Sequence, residues 1–159
     1  RLRELMFYDP STGEFTWIVN RHYKVRPGDR AGANNTIGYR VIGIDGCKYY
    51  AHRLAWLYVF GVWPHEQIDH INGNGTDNRI ENLRPATSRL NNENQRRPRS
   101  DNTSGFLGVY RDRRLRVRPW VARIQCSSTY RYLGQFETAE LAHNAYLKAK
   151  RALHEGCTI

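Results

Sequence analysis

Long apolar runs are missing from this 159-residue chain. Nothing approaches the ~18 to 20 consecutive apolar residues of a bilayer span, which excludes an integral membrane helix. The N-terminal stretch also lacks the basic, apolar, then small-residue layout of a secretory signal. Cysteine is scarce and oddly numbered. Cys47, Cys126 and Cys157 form no C-x-x-C pair, which argues against a disulfide scaffold and against a four-cysteine zinc site. Lysine is nearly absent, with four residues, so arginine supplies most of the 25 basic side chains that outweigh 15 acidic ones to a net charge of +10. The length fits one compact domain or two small ones. The charge fits a soluble intracellular protein whose partner is a polyanion.

That charge is uneven. Residues 1–95 carry 12 basic and 10 acidic side chains, whereas residues 96–159 carry 13 and 5. The change falls at Arg96-Arg97-Pro98-Arg99-Ser100-Asp101-Asn102-Thr103-Ser104-Gly105, a polar run with no large apolar residue. Such a composition predicts a linker over 96–104 between a domain at 1–95 and another at 105–159. Arg96, Arg97 and Arg99 are clustered as phosphate contacts reward, so the linker is expected to track a nucleic-acid backbone.

The first half reads as short strands and one helix. Ser11-Thr12-Gly13 marks a turn before the β-prone Phe15-Thr16-Trp17-Ile18-Val19. Asp45-Gly46, between Gly38–Ile44 and Cys47–Tyr50, is a two-residue hairpin signal. Ala51–Phe60 is apolar after His52-Arg53 and ends at Gly61, as a helix with a glycine C-cap does, with Trp56 and Phe60 expected in its core. His52 reads equally as a packed helix-start residue or as a DNA contact. His22, His65, His143 and His154 read as structural or solvent-facing.

Gln67-Ile68-Asp69-His70 is followed by a turn-rich centre, Ile71–Asn78, and by a second strand within Ile80–Thr87. Ser88 can cap a short helix over Arg89–Gln95. Strand, loop, strand and helix would gather Asp69, His70 and the first helical turn. A carboxylate and an amide oxygen suit Mg²⁺, and an adjacent imidazole suits a general base.

The combination Asp69-His70-Ile71-Asn72-Gly73, then Asp77-Asn78-Arg79-Ile80-Glu81-Asn82-Leu83-Arg84, then Asn91-Asn92-Glu93-Asn94 resembles the HNH endonucleases of phages and introns, with His52–Trp56 as a matching lead-in. The resemblance covers roughly residues 8–95. It implies a ββα-metal fold in which Asp69 and Asn91 hold one divalent ion, Mg²⁺ or Mn²⁺. His70 would take a proton from the attacking water, and Asn82 would brace the loop and orient His70. Asn92 and Asn94 compete with Asn91, which is preferred on family spacing.

Beyond Gly105, Leu107–Arg111, Pro119–Gln125 and Tyr130–Phe136 predict three strands, and Thr138 caps a helix whose buried face is read as Leu141, Ala145, Ala149, Ala152 and Leu153. Gly108-Val109, Trp120-Val121-Ala122-Arg123-Ile124 and Leu133–Thr138 resemble the Apetala-type (ethylene-response-factor) DNA-binding domain over residues 104–154. Tyr110 departs from that pattern, as does the long stretch Arg111–Arg118. Arg111, Arg123 and Arg131 are expected on the open sheet face with Gln125, where Arg reads guanine and Gln adenine. Arg113, Arg114, Arg116 and Arg118 are expected on phosphates.

Together these readings predict an α+β chain, a ββα-metal nuclease module followed by a three-stranded antiparallel sheet with one helix. The implied function is a homing-type, metal-dependent endonuclease that nicks one strand of double-stranded DNA per active site. It is expected to be monomeric, with no membrane and no protein partner, in the cytoplasm of a bacterial or phage-infected cell. The alternative is a non-catalytic DNA-binding regulator.

Overall fold

A computed structural model describes residues 1–21 and 23–159, so His22 lies outside the described residues. The chain divides into two compact units, Arg1–Thr87 and Ser88–Ile159. Both mix helices with small antiparallel sheets, the α+β composition expected from the sequence.

In the first unit a short helix, α1 (Leu2–Leu5), leads into the hairpin β1 (Met6–Asp9) and β2 (Glu14–Trp17). A second sheet has the order β3 (Ala33–Asn34), β4 (Arg40–Ile44), β5 (Cys47–Tyr50). Asp45 and Gly46 both adopt positive φ (47° and 82°) in the turn between β4 and β5, which is why an Asp-Gly pair stands there. Helix α2 (Ala51–Phe60) ends on left-handed Gly61, whose N–H reaches Leu57 O. Its inner face, Ala51, Leu54 and Ala55, follows the i, i+3, i+4 spacing and packs with Met6, Phe15 and Ile42. Trp56 and Phe60 are not both core. Their rings meet at 4.2 Å, but Phe60 is 52% exposed, because the small residues of α2 take the inward positions. A third hairpin, β6 (Gln67–His70) and β7 (Leu83–Ala86), completes the unit. The segment before β7 opens as one 3-10 turn, Ile80–Asn82.

The second unit begins with α3 (Ser88–Glu93) and contains the sheet β8 (Val109–Arg111), β9 (Trp120–Cys126) and β10 (Thr129–Phe136), with β9 central, followed by α4 (Ala139–Leu153). Thr138 Oγ1 accepts the Leu141 N–H at 3.2 Å, the expected N-cap. The buried face of α4 is Ala139, Ala142, Tyr146 and Lys150, while Leu141 and Leu153 are 50% and 40% exposed. The small alanines let the helix lie close on Val109 and Ala122, and the leucines face outward. Gly108 is required by the same packing, since a Cβ there would meet the Tyr146 ring at 2.0 Å.

The division between units precedes the polar run at 96–104. Residues of that run are tied into the second unit by polar bonds, where composition predicted a linker. Arg96 donates to Thr158 O, and Asn102 Nδ2 to Phe106 O. A segment without large apolar side chains can still be ordered when hydrogen bonds hold it.

Candidate active site

Asp69 and His70 close β6, and both are buried, at 5% and 4% exposed. The register sets Asp69 opposite Arg84 and His70 opposite Leu83. Arg84 donates through Nε (3.0 Å) and Nη2 (2.8 Å) to Asp69 Oδ2. The alternation of a strand then turns the His70 ring to its own set of neighbours.

Those neighbours include an asparagine not singled out from the sequence. His70 Nε2 lies 3.1 Å from Asn78 Oδ1. The Asn78 amide is oriented by Nδ2 donating to Thr76 O at 3.4 Å, so Oδ1 faces the histidine and His70 carries its proton on Nε2. Nδ1 is then the basic nitrogen. Asn78 is itself 1% exposed and is fixed from the first hairpin, where Tyr8 OH donates to Asn78 O at 2.7 Å. Gly13, in the β1–β2 turn at φ 74°, lies so near that a Cβ would come within 2.4 Å of the Asn78 carbonyl carbon. Asn78 was visible within the Asp77-Asn78-Arg79 triplet, but its spacing from His70 through an irregular loop carried no periodicity to mark it.

Asn82 braces the loop rather than the ring. Its Oδ1 accepts Asn72 N (2.9 Å), and its Nδ2 donates to Asn72 Oδ1 (3.0 Å) and Asp77 O (2.8 Å). Both Asn82 amide hydrogens go to the loop, and the side-chain contact to His70 Nε2 comes from Asn78. Asp77 is held by Arg79, with further hydrogen bonds from the Arg79 backbone and Asn72, and these pull its carboxyl down to about 2.

His52, at the start of α2, is 8% exposed, in line with the packed helix-start reading. It meets His70 edge-on at 5.0 Å and stacks on Tyr50 at 5.4 Å, and its buried Nδ1 has no hydrogen-bond partner among the described residues. Burial, followed by the nearby His70, pushes its pKa down to about 3. The His70 pKa is also lowered, chiefly by burial, against the opposing pull of the Asn78 hydrogen bond and the Asp69 charge. Both imidazoles are therefore neutral near pH 7.

Residues 49–93 match the HNH endonuclease family model. The matched span runs from Tyr49 through α3 and contains Asp69, His70, Asn78, Asn82, Arg84 and Asn91. No curated protein and no solved structure matches the chain. The HNH match supports a nuclease, a hydrolase with DNA as its substrate. No helix among the described residues is long and apolar enough to cross a membrane.

Asn91 sits on α3, in the second unit, whereas Asp69, His70 and Asn82 sit in the first. Its rival Asn94 is 4% exposed, with Oδ1 accepting Thr158 Oγ1 at 2.6 Å. Among the described residues no group of three or more His, Cys, Asp or Glu side chains could hold a metal. Asp69 offers a carboxylate oxygen, a donor of the hard kind that an ion such as Mg²⁺ takes.

The candidate DNA-contacting residues of the second unit separate by strand register. Arg123 and Gln125 are exposed on β9, on the face opposite that of Ala122, which packs on α4. Arg111 and Arg131, expected beside them, stand opposite Trp120 and Ile124, on the α4 face. Each is one residue out of phase with the open face. The Arg123 guanidinium lies 4.5 Å from the Tyr130 ring centre and 4.9 Å from that of Tyr110. These three residues line an open trough of about 410 Å³ with Gln125 and Arg99. Of the loop arginines, Arg113, Arg116 and Arg118 are exposed, and Arg114 is paired with Asp112 at 2.8 Å. Arg97 is exposed, while Arg96 is turned onto Thr158.

Proposed function

We propose that this protein is a metal-dependent DNA endonuclease that hydrolyses one phosphodiester bond per active site and so nicks duplex DNA. The carrying observation is the buried His70–Asn78 pair inside the HNH-matched segment. His70 Nδ1 accepts the proton of the attacking water, and Asn78 holds the Nε2–H tautomer that leaves Nδ1 basic. Burial lowers the His70 pKa, which keeps the ring ready as a base at neutral pH. Asp69 would be a ligand of one Mg²⁺ or Mn²⁺, with Asn91 as the second ligand that the family resemblance implies. When bound, that ion polarises the scissile phosphate and neutralises charge on the leaving 3′-oxygen. Asn82 keeps the loop closed beneath His70.

The second unit supplies affinity and site choice in this reading. Arg123 offers the paired donors that read guanine and Gln125 the donor and acceptor that read adenine, with Arg97, Arg99, Arg113, Arg116 and Arg118 on phosphates. The resemblance to Apetala-type domains supports this, as does the +8 balance of residues 96–159. The resemblance to phage- and intron-borne enzymes supports a homing-type role, a monomer, and action in the cytoplasm where the DNA is.

The test is conversion of supercoiled plasmid. Open circles formed with Mg²⁺ but not with EDTA, and lost in His70→Ala, are the expected result. DNA bound equally with and without chelator and never cut, on random-sequence duplex as well as plasmid, would favour the regulator instead.

A further inference from the structure

We propose that Arg84 gates the metal site: it holds the Asp69 carboxylate until DNA arrives, then passes its guanidinium to a phosphate oxygen, so that metal and DNA load together. This inference rests on the nuclease reading and adds an order of binding to it.

The Arg84–Asp69 pair is built into the ladder. Arg84 stands directly across β6–β7 from Asp69, and two of its N–H groups converge on one carboxylate oxygen. Asp69 is 5% exposed, so the guanidinium compensates a charge withdrawn from water. The Arg84 side chain is 24% exposed, so one end of this buried pair still reaches the surface.

A divalent ion on Asp69 would sit within a few ångströms of that guanidinium. Two cations at such a distance repel strongly where water is thin and screening is weak. The metal must therefore displace Arg84 or bind poorly beside it. A phosphodiester offers the guanidinium the same forked, charge-assisted hydrogen bonding as a carboxylate. A phosphate drawn to an ion on Asp69 would come within a few ångströms of Arg84, whose Nε and Nη2 already touch that carboxylate. Moving Arg84 onto it exchanges one partner for another and leaves Asp69 to the ion. By linkage, DNA must then raise metal affinity by the same factor as metal raises DNA affinity.

The measurement is Mn²⁺ affinity at pH 8, read from the paramagnetic signal of the free ion. It uses the full chain carrying His70→Ala to prevent cleavage, alone and with a random-sequence duplex, after subtracting Mn²⁺ held by the duplex itself. The parent should bind Mn²⁺ about tenfold more tightly with duplex than without, within the usual range of coupling between sites. Arg84→Gln should bind it about tenfold more tightly than the parent without DNA and gain little from duplex. Arg84→Lys, which keeps the charge, should stay near the parent. A folded Arg84→Gln that binds Mn²⁺ no better than the parent, or more weakly, would overturn the gate and leave Arg84 a structural partner. If Arg84→Gln does not fold, the parent decides alone, because equal affinity with and without duplex also overturns the gate. Metal-dependent nicking by the unmutated chain without coupling defeats the gate alone. Absence of both nicking and Mn²⁺ binding defeats the nuclease reading as well.

Discussion

Asn78 Oδ1 accepts the Nε2–H of His70 at 3.1 Å, in a pair of side chains no more than 4% exposed. A hydrogen bond in that setting selects one tautomer, because leaving either partner unsatisfied costs about 1–3 kcal/mol. Asn78→Leu is therefore expected to lower the nicking rate about 10- to 100-fold while leaving DNA affinity nearly unchanged. Single-turnover cleavage beside a native-gel shift measures both. An unaltered cleavage rate would remove Asn78 from the site.

His70→Ala should act more severely, reducing cleavage about 10²- to 10⁴-fold, the usual range for a positioned acid–base group. The lowered His70 pKa puts the acid limb of the pH–rate profile below the ordinary imidazole value near 6.5. A limb centred above 7 would contradict the assignment.

Tyr8→Phe tests the support beneath Asn78. It deletes the hydroxyl that donates to Asn78 O across 70 residues of sequence and leaves a buried carbonyl short of that donor. Stability should fall by about 1 kcal/mol, readable by urea unfolding, with a smaller loss of cleavage. An unchanged midpoint would show that the bond contributes nothing.

His52 makes the fold acid-sensitive. Its pKa is about 3 in the folded protein and near 6.5 when unfolded, so the unfolded chain binds the extra proton first as pH falls. The stability due to its neutral form is complete above pH 6.5 and is lost progressively down to about pH 3, at up to ~1.4 kcal/mol per pH unit. His52→Phe should flatten this part of the stability–pH curve. The same slope in both proteins would rule His52 out as its cause.

Register gives the second unit its own test. Arg123→Ala should weaken binding to a preferred site more than to random duplex, since a bidentate contact to a base edge discriminates by about 1–3 kcal/mol. Arg131→Ala, on the opposite face, should weaken both alike or neither. The reverse ranking would mean that the open face of β9 is not the reading surface.

Hairpins were legible because turn chemistry is local. Ser11-Thr12-Gly13 turns the chain into the strand predicted after it, Asp45-Gly46 lies between the two strands predicted, and Gly61 ends α2 where expected. The buried face of α4 differs from the aliphatic pattern because counting aliphatic residues favours Leu141 and Leu153, whereas packing on Ala122 favours the smaller Ala139 and Ala142. Arg111 and Arg131 fall on the α4 face rather than the open one for a related reason, since one residue of register turns a side chain to the other face of a sheet.

The chemistry at hand is legible in the chain alone: a hard carboxylate beside an imidazole at Asp69-His70, an amide-rich loop after it, and a basic second half with Arg123 and Gln125 in alternation. Those are matters of residue type and short spacing, and both are written in the chain. Tertiary structure alone decided that Asn78 rather than Asn82 meets His70, that Tyr8 holds Asn78 from another hairpin, and that Arg84 covers Asp69. These pairings join residues across irregular loops and strand ladders. They depend on where each side chain finds its hydrogen-bond partner once water is excluded, which no local pattern encodes.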